Sequence, residues 1–254
     1  MWTERNGSIR HKAHLVIKGY MQSNWGETYA PVGKLASFRY LASLAAGLGL
    51  AIDHMDVVTA SLNPEVDDPD LMMEIPEGRD SGDVSGSGTG LAADSIVRLN
   101  KALYGLKQAP QLWYKDIDGF LVQSLDFTQS NADPNLYIHG QGDIRVLLLL
   151  YVDDMSIAYP SKAAAIAKEI KRKLAEKYKV TNLGTTKQFL GIEINSEINS
   201  ETSKQISLGQ KAYITSVLKR FDMENAYGTA TSMATHIKPN ETEKLGAREF
   251  FVLF

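Results

Sequence analysis

Two spacings of apolar residues alternate along the chain, one helical and one typical of strands. From Leu35 the apolar positions recur three and four residues apart, and Gly47 and Gly49 are placed to end that helix. A second helix is predicted after Pro110, because proline is tolerated in a first turn, where the amide has no partner. The expected buried faces are Leu35, Phe38, Leu41, Leu44, Ala45 and Leu48 in the first helix, and Leu112, Ile117, Phe120 and Leu121 in the second.

Two further helices are predicted in the second half of the chain. Ser161 is a candidate N-cap for the third helix, since its hydroxyl can accept a bond from a free amide of the first turn. The fourth helix is expected at about residues 209–221. The predicted inward residues are Ile166, Ile170, Leu174 and Tyr178 in the third helix, and Tyr213, Ile214, Val217 and Leu218 in the fourth.

Short apolar runs between the helices predict strands. They lie at residues 50–58, 71–75, 144–152 and 155–159, followed by a strand pair at 187–194 and 204–208. Residues 79–95 are rich in Gly, Ser and Asp, which predicts a flexible surface loop. Helices alternating with antiparallel strand pairs predict an α+β fold, with an antiparallel sheet backed by helices on one face.

Composition narrows the class of protein. The 254 residues are 44% hydrophobic, enough for a core, and the absence of cysteine excludes disulfides and thiolate zinc sites. The N-terminus lacks the apolar stretch of a signal peptide, and the longest strongly apolar run, residues 146–152, is too short to cross a bilayer. We therefore expect an intracellular protein, cytoplasmic or nuclear and not secreted, with no membrane partner.

Charge gives a mixed indication about nucleic acid. The net charge of −3 and pI near 6.0 are not those of a basic nucleic-acid-binding domain. Basic residues nevertheless cluster at Arg10, His11, Lys12, His14 and Lys18, and at Lys168, Lys171, Arg172, Lys173, Lys177 and Lys179. Either cluster could follow phosphates. For the second cluster a solvated helix face is favoured, because Glu169 and Glu176 are interleaved at helical spacing.

The adjacent carboxylates Asp153 and Asp154 are the main candidates for chemistry. An Asp pair alone is most often a solvated turn, but here an apolar strand leads directly into it and would hold it rigidly at a hairpin tip. With Asp56 near the end of another strand, the three carboxylates could bind a pair of Mg²⁺ ions and support nucleotidyl transfer. Asp67, Asp68 and Asp70 fall in a Pro-containing loop and are interpreted as solvated.

Six motifs in a fixed order resemble the reverse transcriptases of copia-type LTR retrotransposon Pol polyproteins. They extend the similarity over roughly residues 7–235. The motifs are KAHLVIKGYMQ (12–22), YAPVGKLASFR (29–39), HMDVVTASL (54–62), ALYGLKQAPQLWY (102–114), LLLYVDDMSIA (148–158) and LGTTKQFLGIEI (183–194).

This resemblance implies a right-hand polymerase. Residues 1–50 would form part of the fingers, residues 51–235 the palm with the start of the thumb, and residues 236–254 an unmatched tail. The implied activity is RNA-directed DNA polymerisation on an RNA or DNA template, with a primer and deoxynucleoside triphosphates as substrates. Two Mg²⁺ ions would be the cofactors, and Mn²⁺ could substitute for them.

The resemblance also assigns roles to individual residues. Asp56, Asp153 and Asp154 would be the catalytic metal ligands, with the backbone carbonyl of Val57 as a further ligand. The expected nucleotide-binding residues are Lys12, His14, Ser61 and Gln108, and the expected primer-binding residues are Leu190 and Gly191. A helix-start role for Gln108, and an ordinary strand at Leu190 and Gly191, remain open alternatives.

Three positions depart from the family pattern near the substrates. His14 replaces an arginine, Ser61 replaces an aromatic residue that excludes a ribose 2′-hydroxyl, and Pro64 replaces a glycine. We expect weaker nucleotide binding and a more open sugar pocket. Because regions that flank this domain in the family have no counterpart, a truncated copy lacking the rest of Pol is also expected. The alternative is an inactive remnant that at most binds nucleic acid.

Overall fold

A computed structural model of the protein describes residues 2–5, 8–11, 15–22, 26–74, 96–200 and 203–226. The α-helices within these ranges are α1 (Leu35–Leu48), α2 (Ala109–Gly119), α3 (Ala164–Lys177) and α4 (Lys211–Arg220). The strands are β1 (Trp2–Arg5), β2 (Ser8–His11), β3 (Ala51–Val57), β4 (Met72–Glu74), β5 (Ile96–Arg98), β6 (Thr128–Gln129), β7 (Leu136–His139), β8 (Val146–Tyr151), β9 (Asp154–Tyr159), β10 (Val180–Thr185), β11 (Gln188–Phe189), β12 (Ile192–Ser200) and β13 (Ser203–Gly209).

A six-stranded sheet forms the centre of the fold. Its strand order is β10-β3-β9-β8-β7-β6, and every neighbouring pair is antiparallel. Smaller antiparallel sheets consist of β1-β2, β4-β5 and β11-β12-β13. The predicted α+β class with an antiparallel sheet is confirmed. The predicted strands at 50–58, 144–152 and 155–159 correspond to β3, β8 and β9.

Helices cover both faces of the central sheet, so the prediction of helices on one face is wrong. On one face Leu148 and Leu150 of β8 pack with α2 and α3. On the other face Leu147 and Leu149 pack with α1 and with Phe189 of β11. The sequence carries the reason, because residues 146–150 are apolar at both parities, and strands buried on both faces are continuous apolar runs.

Helix α1 follows its prediction at both ends but not over its whole face. Gly49 ends the helix in a left-handed conformation with φ of 64°, which glycine adopts without steric cost. Phe38, Leu41 and Ala45 are fully buried. Leu35 and Leu48, in the first and last turns of the helix, are 40% and 68% exposed.

Helices α2 and α3 form the layer on the opposite face. Pro110 lies in the first turn of α2 as predicted, and the helix continues as a π-helical turn at Phe120–Ser124. In α3 the predicted Ser161 cap is wrong. Ser161 starts a short 3₁₀ turn, the α-helix begins at Ala164, and no side-chain cap bond is made at either start.

The remaining strands differ from their predictions. The strand pair expected at 187–194 and 204–208 is a three-stranded sheet, because a turn at Leu190 and Gly191 divides the first strand. Strand β10, which was not predicted, extends the central sheet beside β3. The strand expected at 71–75 is the short β4, which pairs with β5. The segment 79–95 lies outside the described residues.

Two compact units divide the chain, Met1–Gly209 and Gln210–Phe254. Helix α4 belongs to the second and lies within the predicted range, but none of its residues is buried. Tyr213 and Ile214 are 61% and 48% exposed, so the prediction of an inward face is wrong. A helical period identifies an apolar face but does not supply a partner for it. In the described part of the chain, helices long and apolar enough to cross a membrane are absent.

Candidate active site

Strand pairing brings the predicted carboxylates to one end of the central sheet. Asp56 of β3 lies directly opposite Asp154 of β9 in the antiparallel register. Asp153 occupies the turn between β8 and β9, as predicted for a hairpin tip. The amide of Val57 donates to the carbonyl of Asp153 at 2.9 Å, which ties that turn to the end of β3.

The turn that carries Asp153 has an unusual backbone. Val152 has φ of 58°, a left-handed conformation that β-branched residues rarely adopt. The indole Nε1 of Trp113, in α2, donates to the carbonyl of Val152 at 2.6 Å. Two elements distant in sequence therefore hold the turn through its carbonyl groups.

The electrostatic environment raises the pKa of two of the carboxylates. Burial raises the pKa of Asp56, and the charge of Asp154 raises it further, while His54 opposes the rise. Although Asp153 reaches solvent, desolvation by the surrounding protein raises its pKa; a hydrogen bond from its own backbone amide opposes the rise, and the charges of Asp154 and Asp56 add to it. The site thus gathers negative charge that a bound cation would neutralise.

His54 is a site residue that the sequence reasoning missed. Its Nε2 lies 2.7 Å from Oδ1 of Asp154, and its ring packs edge to face on Phe189, with centroids 5.4 Å apart. A sequence signal did exist, since His54 precedes Asp56 by two positions and alternate residues of a strand share a face. The link across to Asp154 depends on strand register, which the sequence pattern did not give.

A cavity of about 400 Å³ lies beside the pair formed by His54 and Asp154. Its far side is the turn between β11 and β12, where Leu190 and Gly191 have φ of 52° and 75°. These two residues therefore form a tight hairpin turn, and the alternative of an uninterrupted strand is wrong. The other lining residues are Leu183, Thr185, Lys187, Gln188 and Phe189.

Gln108 lies at the start of α2, on the loop of the LYGLKQAP motif. Its Oε1 accepts a bond from Nε2 of Gln22 at 2.9 Å, which joins two of the six motifs. The backbones of the same segments are in close contact, since a Cβ added at Gly105 would lie 2.1 Å from the carbonyl oxygen of Ile17. Gln108 therefore occupies the start of α2 and also contacts the N-terminal segment.

The other predicted nucleotide-binding residues are only partly described. Ser61 lies in a short 3₁₀ turn, Ala60–Leu62, soon after β3, and is half-buried. The turn is braced by Asn63, whose side-chain amide donates to the carbonyls of Thr59 and Ala60 at 3.2 Å. Lys12 and His14 lie outside the described residues.

Three of the six residues in the second basic cluster, Lys171, Arg172 and Lys177, form ion pairs with carboxylates of the protein. Arg172 forms ion pairs with Glu169 and Glu176 on the same helix. Lys171 instead points inward and pairs with the buried Asp53, which also accepts a bond from Tyr159 at 2.6 Å. The charges of these three residues are thus balanced within the protein, whereas Lys168, Lys173 and Lys179 are exposed.

The donor atoms of the site suit a hard cation. Within the residues that the structure describes, no group of three or more acidic or histidine side chains is arranged to hold a metal ion by itself. Mg²⁺ keeps waters and substrate phosphates among its ligands and needs few protein carboxylates. The oxygens of Asp56, Asp153 and Asp154, together with the raised pKa values of the first two, fit such an ion.

Comparison with known proteins identifies the family. Residues 2–235 match the family described as reverse transcriptase (RNA-dependent DNA polymerase). The chain is 37% identical to the Retrovirus-related Pol polyprotein from transposon TNT 1-94 of Nicotiana tabacum, over 91% of this chain and 16% of that protein. It is 32% identical to the Pol polyprotein from transposon RE2 of Arabidopsis thaliana, over 92% of this chain and 15% of that protein.

A more distant relative comes from yeast. The Transposon Ty1-NL2 Gag-Pol polyprotein of Saccharomyces cerevisiae is 27% identical over 87% of this chain and 12% of its own length. The chain therefore spans about a sixth or less of these relatives. The chain belongs to the reverse transcriptase (RNA-dependent DNA polymerase) family, in the form carried by copia-type retrotransposon Pol polyproteins.

Proposed function

We propose that this chain catalyses RNA-directed DNA synthesis by two-metal nucleotidyl transfer to a primer 3′-hydroxyl. The observation that carries the proposal is the register of β3 and β9, which sets Asp56 opposite Asp154 with Asp153 at the adjoining turn. Carboxylates on two paired strands are held with little freedom to move, as a polymerase metal site requires. Membership of the reverse transcriptase family supports the same reaction.

The three aspartates would hold two Mg²⁺ ions, or Mn²⁺ in their place, with the Val57 carbonyl as a further ligand. When bound, these ions supply activation of the primer hydroxyl and neutralisation of charge on the transferred phosphate. The contribution of the protein is to position the ligands of these ions. The bond from the Val57 amide to the backbone carbonyl of Asp153 holds the turn against β3, and the bond from His54 orients the carboxylate of Asp154.

We propose that the substrates approach from two sides of this site. The turn of Leu190 and Gly191 would hold the primer terminus next to the cavity that reaches Asp154. Gln108 would contact the incoming nucleotide and the template, and Ser61 would face the sugar. Lys12 and His14 would approach the triphosphate, with His14 the weaker partner because it lacks the permanent charge of arginine.

The wider assignments belong to the same proposal. Residues 1–50 would form part of the fingers, 51–235 the palm with the start of the thumb, and 236–254 a tail without a counterpart in the family. The macromolecular partner would be an RNA or DNA template with its primer, and the setting intracellular. The relatives are Pol polyproteins, so further activities of those longer proteins are not assigned to this chain.

Primer extension tests the proposal. Purified protein is given a primed RNA template, deoxynucleotides, and Mg²⁺ or Mn²⁺, and Asp153→Asn is compared with Asp143→Asn. Asp143 provides a matched control, because it is an exposed carboxylate at the protein surface that pairs with Lys162. We expect extension by the native chain and by Asp143→Asn, and none by Asp153→Asn. Salt-sensitive binding of nucleic acid without extension by the native chain would contradict the proposal.

A further inference from the structure

Trp113 connects the interior of the protein to the turn that carries Asp153. The residue belongs to the ALYGLKQAPQLWY motif, yet no role in the proposed chemistry has been assigned to it. Its side chain is 3% exposed, and a buried indole N–H must find an acceptor. The acceptor is the carbonyl of Val152, 2.6 Å away and 39 positions along the chain.

Val152 would not be expected to hold its conformation unaided. Its φ of 58° is strained for a β-branched side chain, and strain of this kind persists only when surrounding contacts impose it. The Val152 side chain is 44% exposed, so its own burial does not fix the turn. Besides the pairing of Tyr151 with Asp154, which closes the hairpin, the contacts that hold the turn are made to its carbonyls, from Trp113 to Val152 and from Val57 to Asp153.

The indole is itself held firmly. It packs edge to face against Tyr178, with ring centroids 5.2 Å apart, inside the core that α2 and α3 share. The hydroxyl of Tyr178 donates in turn to the carbonyl of Asp116 in α2, at 3.3 Å. A rigid donor buried in the core therefore meets a strained acceptor at the site.

We propose that Trp113 is a positioning residue for the active site. By bonding to the Val152 carbonyl it helps the hairpin to hold Val152 in its left-handed conformation, which delivers Asp153 beside Asp56 and Asp154. We call the bond from Trp113 to the Val152 carbonyl the clamp. The expected effect on catalysis rests on the proposed function, whereas the clamp itself does not. Replacement of the indole N–H should therefore disturb the turn first, and metal binding and turnover as a result.

The test compares Trp113→Phe, which keeps an aromatic ring and loses the donor, with Ile117→Val. Ile117 is fully buried on the same helix, one turn further on, and belongs to the same core cluster. Both variants lose core volume, so thermal unfolding of each separates a general loss of stability from a local one. The structural readout is hydrogen exchange of the peptide that covers residues 150–155 and of the Val57 amide.

For Trp113→Phe we expect faster exchange at the turn and at Val57. We also expect a loss of about tenfold or more in both kcat and Mn²⁺ affinity, the scale for residues that orient metal ligands. Ile117→Val should leave exchange at the turn, Mn²⁺ affinity and kcat within about twofold of the native values. Unchanged exchange at the turn in Trp113→Phe would overturn the clamp, whatever the activity.

The outcomes separate the two proposals. If exchange at the turn accelerates but the native chain neither binds Mn²⁺ nor extends primers, the clamp stands and the proposed function fails. Should Trp113→Phe not fold, Val152→Asn replaces it, because asparagine tolerates the left-handed conformation better than valine. Its unfolding midpoint should lie above that of the native chain, and a lower midpoint would count against an imposed strain.

Discussion

At the scale of single residues, the site concentrates negative charge at a cost to stability. Asp153 has a pKa raised above its ordinary value of 3.8, chiefly by desolvation and then by repulsion from Asp154 and Asp56. The folded state therefore binds this proton more readily than the unfolded state. Stability from this group is greatest at acidic pH and falls as the pH rises from 3.8 through the raised pKa.

Asp153→Asn should consequently stabilise the metal-free protein at pH 7. Because the group is partly exposed and screened, we expect a gain of about 0.5 kcal/mol in the free energy of unfolding. The gain should shrink near pH 4, where the native carboxyl becomes protonated. Added Mg²⁺ should raise the unfolding midpoint of the native chain more than that of the variant. Urea titrations at both pH values measure the effect, and a destabilised variant at pH 7 would contradict the account.

Ser61 gives a prediction about substrate selection. If it faces the sugar of the incoming nucleotide, an aromatic side chain there would clash with a ribose 2′-hydroxyl, and serine leaves that space open. We expect Ser61→Phe to increase the preference for deoxynucleotides over ribonucleotides by about tenfold or more. The ratio of kcat/KM values for the two substrates measures this. An unchanged ratio would remove Ser61 from the sugar pocket.

At the scale of elements, the start of α1 depends on a residue far along the chain. Oδ2 of Asp133 accepts bonds from the Lys34 amide at 2.9 Å and from the Ser37 hydroxyl at 2.5 Å. Burial alone would raise the pKa of Asp133, but the bonds from Ser37, Lys34 and Asn135 outweigh it and hold the pKa below its ordinary value. The stability that Asp133 contributes is fully present above its pKa in the unfolded chain. It is lost as the pH falls through its lower pKa in the folded protein.

Asp133→Ala should therefore unfold more easily than the native chain. The amide of Lys34 and the hydroxyl of Ser37 would lose their acceptor, so we expect a loss of about 2 kcal/mol in the free energy of unfolding at pH 7. Asp143→Ala is the control, since that carboxylate is exposed and should change stability by less than about 0.5 kcal/mol. If urea titrations show the same loss in the free energy of unfolding for Asp133→Ala and Asp143→Ala, the cap stabilises the protein no more than an exposed carboxylate does.

The two ends of α1 illustrate what local sequence can predict. Gly49 sits next to the last turn, and its left-handed conformation follows from its lack of a Cβ, so the C-terminus was predictable. The N-terminal cap comes from a residue about a hundred positions away, which no local spacing identifies. Ser161 does not cap α3 for a different and local reason, because a short 3₁₀ turn intervenes before α3 begins.

At the scale of the whole molecule, the arrangement of the sheet was less predictable than its parts. The apolar runs gave β3, β8 and β9, and the hairpin tip at Asp153 followed from them. The opposition of Asp56 and Asp154 did not, because register depends on pairing across the sheet. Contacts between distant elements, such as His54 with Asp154 and Trp113 with Val152, were hidden for the same reason.

A working polymerase site requires β3 and β9 to meet in the register that sets Asp56 opposite Asp154. The most direct test is the rate of RNA-templated primer extension by Asp56→Asn, since Asp56 is the ligand contributed by register alone. With folding verified by its unfolding midpoint, the variant should extend primers about a hundredfold or more slowly than the native chain. A folded Asp56→Asn that extends within about tenfold of the native rate would contradict the account.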